Sequence, residues 1–130
     1  MPASILIADS SSAMRAVIER AIHIANLPVS ACYQAARAED VLRLYASHKI
    51  DFLLLDTHLA GAEGEELIEA LRARREPVAL RFMATSADAS SARIERLLEL
   101  GACDYLLKPF SVPTLCARLE QALEALHANN

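Results

Sequence analysis

Long apolar runs, glycine-rich loops and an excess of positive charge are all missing from this 130-residue sequence. No stretch approaches the roughly 20 consecutive apolar residues that a membrane-spanning helix needs. The start, MPASILIADS, also lacks the basic segment of a secretory signal. Lys and Arg number 13 against 17 Asp and Glu, so the formal net charge is −4, which disfavours binding to nucleic acid or to an anionic membrane. We therefore expect a cytoplasmic protein with no nucleic-acid or membrane partner.

Cysteine, tryptophan and glycine are scarce. Cys32, Cys103 and Cys116 are widely spaced and form no CxxC pair or zinc-type cluster, so we expect reduced, small core residues. The chain has no Trp, and the loop Ser10–Ser12 has no glycine, which together argue against a flavin site. The absence of a Walker glycine–lysine loop argues against an NTPase.

The 130 residues are enough for one globular domain, and 54% of them are hydrophobic. Predicted strands and helices alternate along the chain. The predicted strands are Ser4–Ala8, Val29–Gln34, Asp51–Leu55, Pro77–Ala84 and Cys103–Leu107. Helical patterns follow them from Met14 to Ala25 and over Ala38–His48, Glu63–Arg74, Ser90–Leu100 and Pro113–His127. The third run, DFLLL, is apolar without alternation, which is typical of a strand covered on both faces. The pattern predicts a parallel sheet with helices on both faces and right-handed crossovers.

In such sheets the ligand site lies beyond the carboxyl ends of the strands. Polar residues stand at four of these ends: Asp9 and Ser10, Asp56 to His58, Thr85 and Ser86, and Lys108. Two carboxylates, a hydroxyl and an ammonium suit phosphoryl transfer to a carboxylate, with Asp56 as the nucleophile. Asp9 and Asp56 would hold Mg²⁺, which prefers oxygen ligands. Ser86 and Lys108 would bind phosphoryl oxygens.

These residues, in this order, resemble the receiver domain of bacterial response regulators over almost the whole chain. The chain looks closest to the single-domain, chemotaxis-type members, notably in DSSSAMR, which begins at Asp9. The resemblance implies a five-stranded, flavodoxin-like sheet of order 2-1-3-4-5 and a phosphoacceptor at Asp56. It also implies that the backbone carbonyl of His58 completes the metal site and that Tyr105 is the aromatic switch residue. Lys108 matches the family's lysine, and its bond to Pro109 is expected to be cis.

The hydroxyl of the site must be assigned, and two positions depart from the family pattern. Thr85 and Ser86 both carry a hydroxyl, and we choose Ser86 because it meets the family spacing to Asp56 and to Lys108 without gaps. Ser10 stands where the family usually has a second acid, and Ala60 stands where a proline often follows the acceptor. A serine hydroxyl, directly or through a water, can replace the geometry of the acid but not its charge, so we expect weak Mg²⁺ binding.

The resemblance implies phosphorelay signalling, in which a histidine kinase, a phosphotransfer protein or a small phosphodonor supplies the phosphoryl group. As an enzyme, the protein would at most catalyse its own phosphorylation and dephosphorylation. A downstream protein would bind the face made by Ser90–Leu100, the strand ending at Tyr105 and Pro113–His127. We expect residues 1–130 to be one receiver domain without an output domain, as a monomer or weak homodimer. The alternative is a phosphate-independent interaction module on the same fold, motivated by Ser10.

Overall fold

The computed structural model describes residues 2–74 and 80–128, with side chains up to Leu126. Five strands alternate with five helices along the chain. In order they are β1 (Ala3–Ala8), α1 (Ser12–Ile24), β2 (Val29–Ala35), α2 (Ala38–Ser47), β3 (Phe52–Asp56), α3 (Gly64–Arg74), β4 (Phe82–Ser86), α4 (Ser91–Glu99), β5 (Ala102–Leu107) and α5 (Val112–Ala128). Within the described residues, no helix is long and apolar enough to cross a membrane.

The five strands form one parallel sheet in the order β2-β1-β3-β4-β5, which confirms the predicted fold. The chain moves outward from β1 to β2, then returns to place β3 on the other side of β1. The strand order therefore reverses between β1 and β3, and the ends of these two strands open a crevice.

The sheet is covered on both faces because successive residues of its strands alternate between two cores. Leu6 and Ala8 of β1 pack with the buried residues of α2, α3 and α4. Ile5 and Ile7 pack with those of α1 and α5. The predicted stripe of α5 is buried in full, and it comprises Leu115, Leu119, Leu123 and Leu126. On α4 the periodicity predicts that both Leu97 and Leu98 face inward, but Leu97 is buried and Leu98 is 46% exposed.

Two other expectations need correction. The fourth strand was predicted at Pro77–Ala84; β4 spans Phe82–Ser86, and Pro77–Ala79 lie outside the described residues. The cysteines are not core residues, since Cys103 is exposed and Cys32 and Cys116 are half-buried. Cys32 and Cys103 lie on β2 and β5, the two edge strands of the sheet, and Cys116 lies on α5, so their side chains reach at most the margin of the core.

Candidate functional site

An ammonium group joins two carboxylates at the carboxyl edge of the sheet. Asp9 follows β1, Asp56 ends β3 and Lys108 follows β5. The Lys108 Nζ lies 2.7 Å from Oδ2 of Asp9 and 3.2 Å from Oδ2 of Asp56. Burial alone would lower the pKa of Lys108, but its hydrogen bond to Asp9 and the charge of Asp56 outweigh burial and raise that pKa. Lys108 therefore stays protonated at neutral pH and neutralises part of the negative charge of the pair.

Backbone N–H groups fix the other oxygen of each carboxylate. Ser11 N donates to Oδ1 of Asp9 at 2.8 Å, and His58 N donates to Oδ1 of Asp56 at 3.0 Å. Each bond spans only two positions of the sequence, so each strand end orients its own carboxylate. Asp9 and Asp56 are 3% and 9% exposed, so only a small part of each residue is open to a ligand. The His58 residue itself is exposed.

Helix α1 begins at Ser12, three residues after Asp9. The three serines after Asp9 are all candidates for the helix cap, and the sequence favours Ser12. The structure corrects this: Ser11 has extended backbone angles, and its Oγ accepts a hydrogen bond from Met14 N at 3.1 Å. Ser12 is the first helical residue. Ser10 does not cap the helix; its Oγ accepts a hydrogen bond from Ala60 N at 3.2 Å.

The hydroxyl candidates lie at the end of β4. Ser86 is fully buried; its carbonyl accepts from Lys108 N at 2.8 Å and its Oγ accepts from Asp88 N at 3.0 Å. Thr85 is the register partner of Asp56 and is buried too. The assignment of the phosphoryl-binding hydroxyl to Ser86 continues to rest on its spacing from Asp56 and Lys108 and stays a prediction.

Tyr105 is connected to the same loop. It pairs with Ala84 across β4 and β5 and is half-buried. Its hydroxyl donates to the carbonyl of Asp88 at 2.7 Å. Asp88 therefore bonds Ser86 through its N–H and Tyr105 through its carbonyl. The Lys108–Pro109 bond is cis, as the resemblance implies.

One residue near the site, Arg93 of α4, is absent from the sequence-based set. Its side chain is 12% exposed, and its Nη2 lies 3.2 Å from the carbonyl of Thr57, directly after Asp56. The guanidinium also pairs with Glu65 at 2.9 Å and Glu63 at 3.1 Å. Thr57 and Arg93 are 36 positions apart, and no spacing rule links them, so the sequence offers no signal for this contact.

The donor set fits a magnesium site of low charge. Asp9 and Asp56 supply carboxylate oxygens that bind the same ammonium, and Mg²⁺ is held by one or two such groups. The described residues contain no group of three or more His, Cys, Asp and Glu side chains arranged to bind a metal. The position of a second acid beside Asp9 is held by Ser10, which is neutral. The two carboxylates are thus the acidic ligands on offer.

Known proteins resemble this chain over most of its length. The family model described as the response regulator receiver domain matches residues 5–120. The chain is 32% identical over 120 residues to the phosphate regulon transcriptional regulatory protein PhoB of Pseudomonas aeruginosa, covering 92% of this chain and 51% of PhoB. It is 30% identical over 118 residues to the two-component response regulator ORR6 of Oryza sativa subsp. japonica, covering 88% of this chain and 69% of ORR6.

Solved structures show the same fold. A CheY-like response regulator receiver domain protein from Methanospirillum hungatei is 22% identical with a TM-score of 0.85, and the match covers 100% of both chains. Chemotaxis response regulator CheY4 of Vibrio cholerae is 19% identical with a TM-score of 0.77, covering 94% of this chain and 99% of that one. The chain spans about half the length of the first curated relatives that it matches.

Proposed function

This chain belongs to the response regulator receiver domain family, and on that basis we propose that it is a phosphorylation-controlled switch whose acceptor is Asp56. The resemblance read from the sequence is confirmed at the level of the family, and with it a role in phosphorelay signalling. Receivers of this family interact with kinases and with downstream effectors, and they generally bind Mg²⁺ at the acidic site.

The observation that carries the proposal is the position of Lys108 between Asp9 and Asp56. A carboxylate oxygen of Asp56 attacks the phosphorus of a phosphohistidine, an O–P bond forms and the P–N bond breaks. The leaving imidazole nitrogen takes up a proton from water. Lys108 then binds a phosphoryl oxygen as a point charge, and the Ser86 hydroxyl donates to another. Mg²⁺ held by Asp9, Asp56 and the His58 carbonyl would supply the remaining positive charge.

The signal leaves through Asp88. A hydroxyl has one donor and two acceptor sites, so Ser86 can donate to a phosphoryl oxygen and still accept from Asp88 N. Movement of Ser86 toward Asp56 therefore pulls Asp88, and Asp88 holds the hydroxyl of Tyr105. Such a switch needs two states that differ by only a few kcal/mol. The proposed output face comprises residues 90–105 and 113–127.

The proposal extends to the phosphoryl donor, the downstream target and the oligomeric state. The phosphoryl donor is a histidine kinase or a phosphotransfer protein in the cytoplasm, and the target is a protein that binds the output face. The domain is a monomer or a weak homodimer. Mg²⁺ binding is weak because Ser10 contributes no charge.

The test is phosphorylation of the purified chain with acetyl phosphate and Mg²⁺, followed by borohydride trapping and peptide mapping. We expect label on Asp56 alone and no label in Asp56→Asn. Asp40→Asn is the matched control, because Asp40 pairs with Arg43 on the surface of α2 and its loss should leave labelling unchanged. Label on another residue, or label that persists in Asp56→Asn, would refute the assignment.

A phosphate-independent interaction module remains the second candidate. The observation that favours it is that the neutral Ser10 stands where the family usually has a second acid, and that its Oγ is already engaged by Ala60 N. Amide chemical shifts with Mg²⁺ and beryllofluoride distinguish the two. A switch shows changes that reach α4 and Tyr105, whereas a static module shows changes near Asp56 only or none.

A further inference from the structure

The two departures from the family pattern contact each other. Ser10 replaces the usual second acid, and Ala60 replaces the frequent proline. The backbone N–H of Ala60 donates to the Oγ of Ser10 at 3.2 Å, across 50 positions of sequence. Proline has no N–H, so this hydrogen bond requires a residue other than proline at position 60.

We propose that Ser10 is a positioning residue that holds the loop between β3 and α3 through the Ala60 N–H, and is not itself a metal ligand. The consequence for Mg²⁺ rests on the proposed function, but the hydrogen bond and its effect on the loop do not.

Besides the bonds of Thr57 to Thr85 and Arg93, the segment from Asp56 to Ala60 is held at both of its ends. His58 N binds the Asp56 carboxylate at its start. At its end, Ala60 N binds Ser10, and the Ala60 carbonyl accepts from Ala38 N at 2.8 Å. Ala60 also forms a parallel bridge with Arg37. Three loops, after β1, β2 and β3, therefore meet at Ala60, and the His58 carbonyl lies between the fixed ends of the segment.

The pairing has a physical reason. A proline restricts its own φ angle and so stiffens a loop without a partner. Ala60 has no such restriction, and the next residue, Gly61, has a φ of 100°, which only glycine adopts easily. The hydrogen bond that the Ala60 N–H donates to Ser10 adds a constraint at the position where the proline would act. An acid at position 10 would put charge there; a serine supplies an acceptor oxygen without charge.

The first test uses metal-free protein and measures exchange of the Ala60 amide hydrogen with solvent by NMR. Loss of one net hydrogen bond predicts about fivefold faster exchange in Ser10→Ala. Ser10→Thr retains the hydroxyl and should restore the slow rate. An unchanged rate in Ser10→Ala overturns the proposal.

The second test is a double-mutant cycle read by Mg²⁺ titration. If Ser10 acts through the loop, Ser10→Ala weakens Mg²⁺ binding about fivefold when residue 60 has an N–H and has no further effect in the Ala60→Pro background. Ala60→Gly is the control, because it keeps the N–H and should leave the effect of Ser10→Ala in place. Equal losses in all backgrounds would identify Ser10 as a ligand and overturn the proposal.

Failure of the proposed function gives a different result. A protein that takes no label on Asp56 and binds no Mg²⁺ still has an Ala60 amide, whose exchange rate decides the role of Ser10 alone.

Discussion

The two sides of the site differ in what the bonds of the carboxylates and of the hydroxyl connect. On the acid side, the loops after β1 and β3, Asp9 and Asp56 each bind an N–H two positions away in sequence. On the hydroxyl side, the loops after β4 and β5, bonds join separate strands: Lys108 N to the Ser86 carbonyl, and the Tyr105 hydroxyl to Asp88. The two carboxylates are oriented within their own loops, whereas the bonds from Ser86 through Asp88 to Tyr105 cross from β4 to β5. We infer that the acid side binds and the hydroxyl side transmits.

Besides Lys108, Arg93 also links the two sides, since it lies on α4 and binds the carbonyl of Thr57 on the acid side. Arg93→Met leaves Glu65, which is 14% exposed, without its closest cation, and should lower the free energy of unfolding by about 2–4 kcal/mol. Arg96→Met is the matched control: Arg96 also pairs with Glu65 but is 61% exposed, so its loss should cost less than about 1 kcal/mol. Urea denaturation measures both. Equal losses would mean that the buried cation does not anchor α4.

The hydroxyl of Ser86 is the next largest expected effect. A hydrogen bond to a charged group contributes about 1.5–3 kcal/mol, so Ser86→Ala should weaken beryllofluoride binding at least tenfold and abolish the chemical shift changes in α4. Thr85→Ala removes a hydroxyl from the adjacent buried position and should do neither. If Thr85→Ala is the damaging change, the spacing argument has selected the wrong residue.

On the acid side, charge at position 10 is the quantity to vary. Ser10→Asp adds a carboxylate that can still accept from Ala60 N, so the loop is retained while a ligand is gained. Mg²⁺ binding should tighten by about 1–3 kcal/mol, roughly tenfold to a hundredfold. Ser10→Asn adds the same shape without the charge and should give little of this gain. Isothermal titration compares the three proteins, and equal affinities would show that Ser10 does not limit binding.

The sequence predicted the fold and the contacts that depend on strand ends. Apolar runs locate the strands and parallel strands end at one edge, so the sequence predicts that Asp9, Asp56 and Lys108 lie together. The Ser11 cap, the Ser10–Ala60 bond and the Arg93–Thr57 contact were not predicted. Each depends on the backbone conformation of a loop or on the rotation of a helix about its axis, neither of which follows from hydrophobic periodicity.

The smallest expected effect tests the last link on the hydroxyl side. Tyr105→Phe removes one hydroxyl and with it the hydrogen bond to the Asp88 carbonyl, while the ring and its packing stay. A neutral hydrogen bond contributes about 1 kcal/mol, so the balance between the two states of the switch should shift by no more than about fivefold. We expect beryllofluoride affinity to be nearly unchanged, because the Tyr105 hydroxyl bonds the Asp88 carbonyl and not the side chain of Asp9, Asp56 or Lys108.

The informative readout is therefore the pattern of amide shifts and not their size near Asp56. In Tyr105→Phe the beryllofluoride-induced changes at Asp88 should remain, since Ser86 still binds the Asp88 N–H, and those in β5 should shrink. Tyr105→Ala, which also removes the ring, should alter partner binding further. If the changes in β5 of Tyr105→Phe match those of the wild type, the displacement crosses from β4 to β5 through the backbone hydrogen bond between Ser86 and Lys108. The hydrogen bond of the Tyr105 hydroxyl to Asp88 would then play no part in transmission.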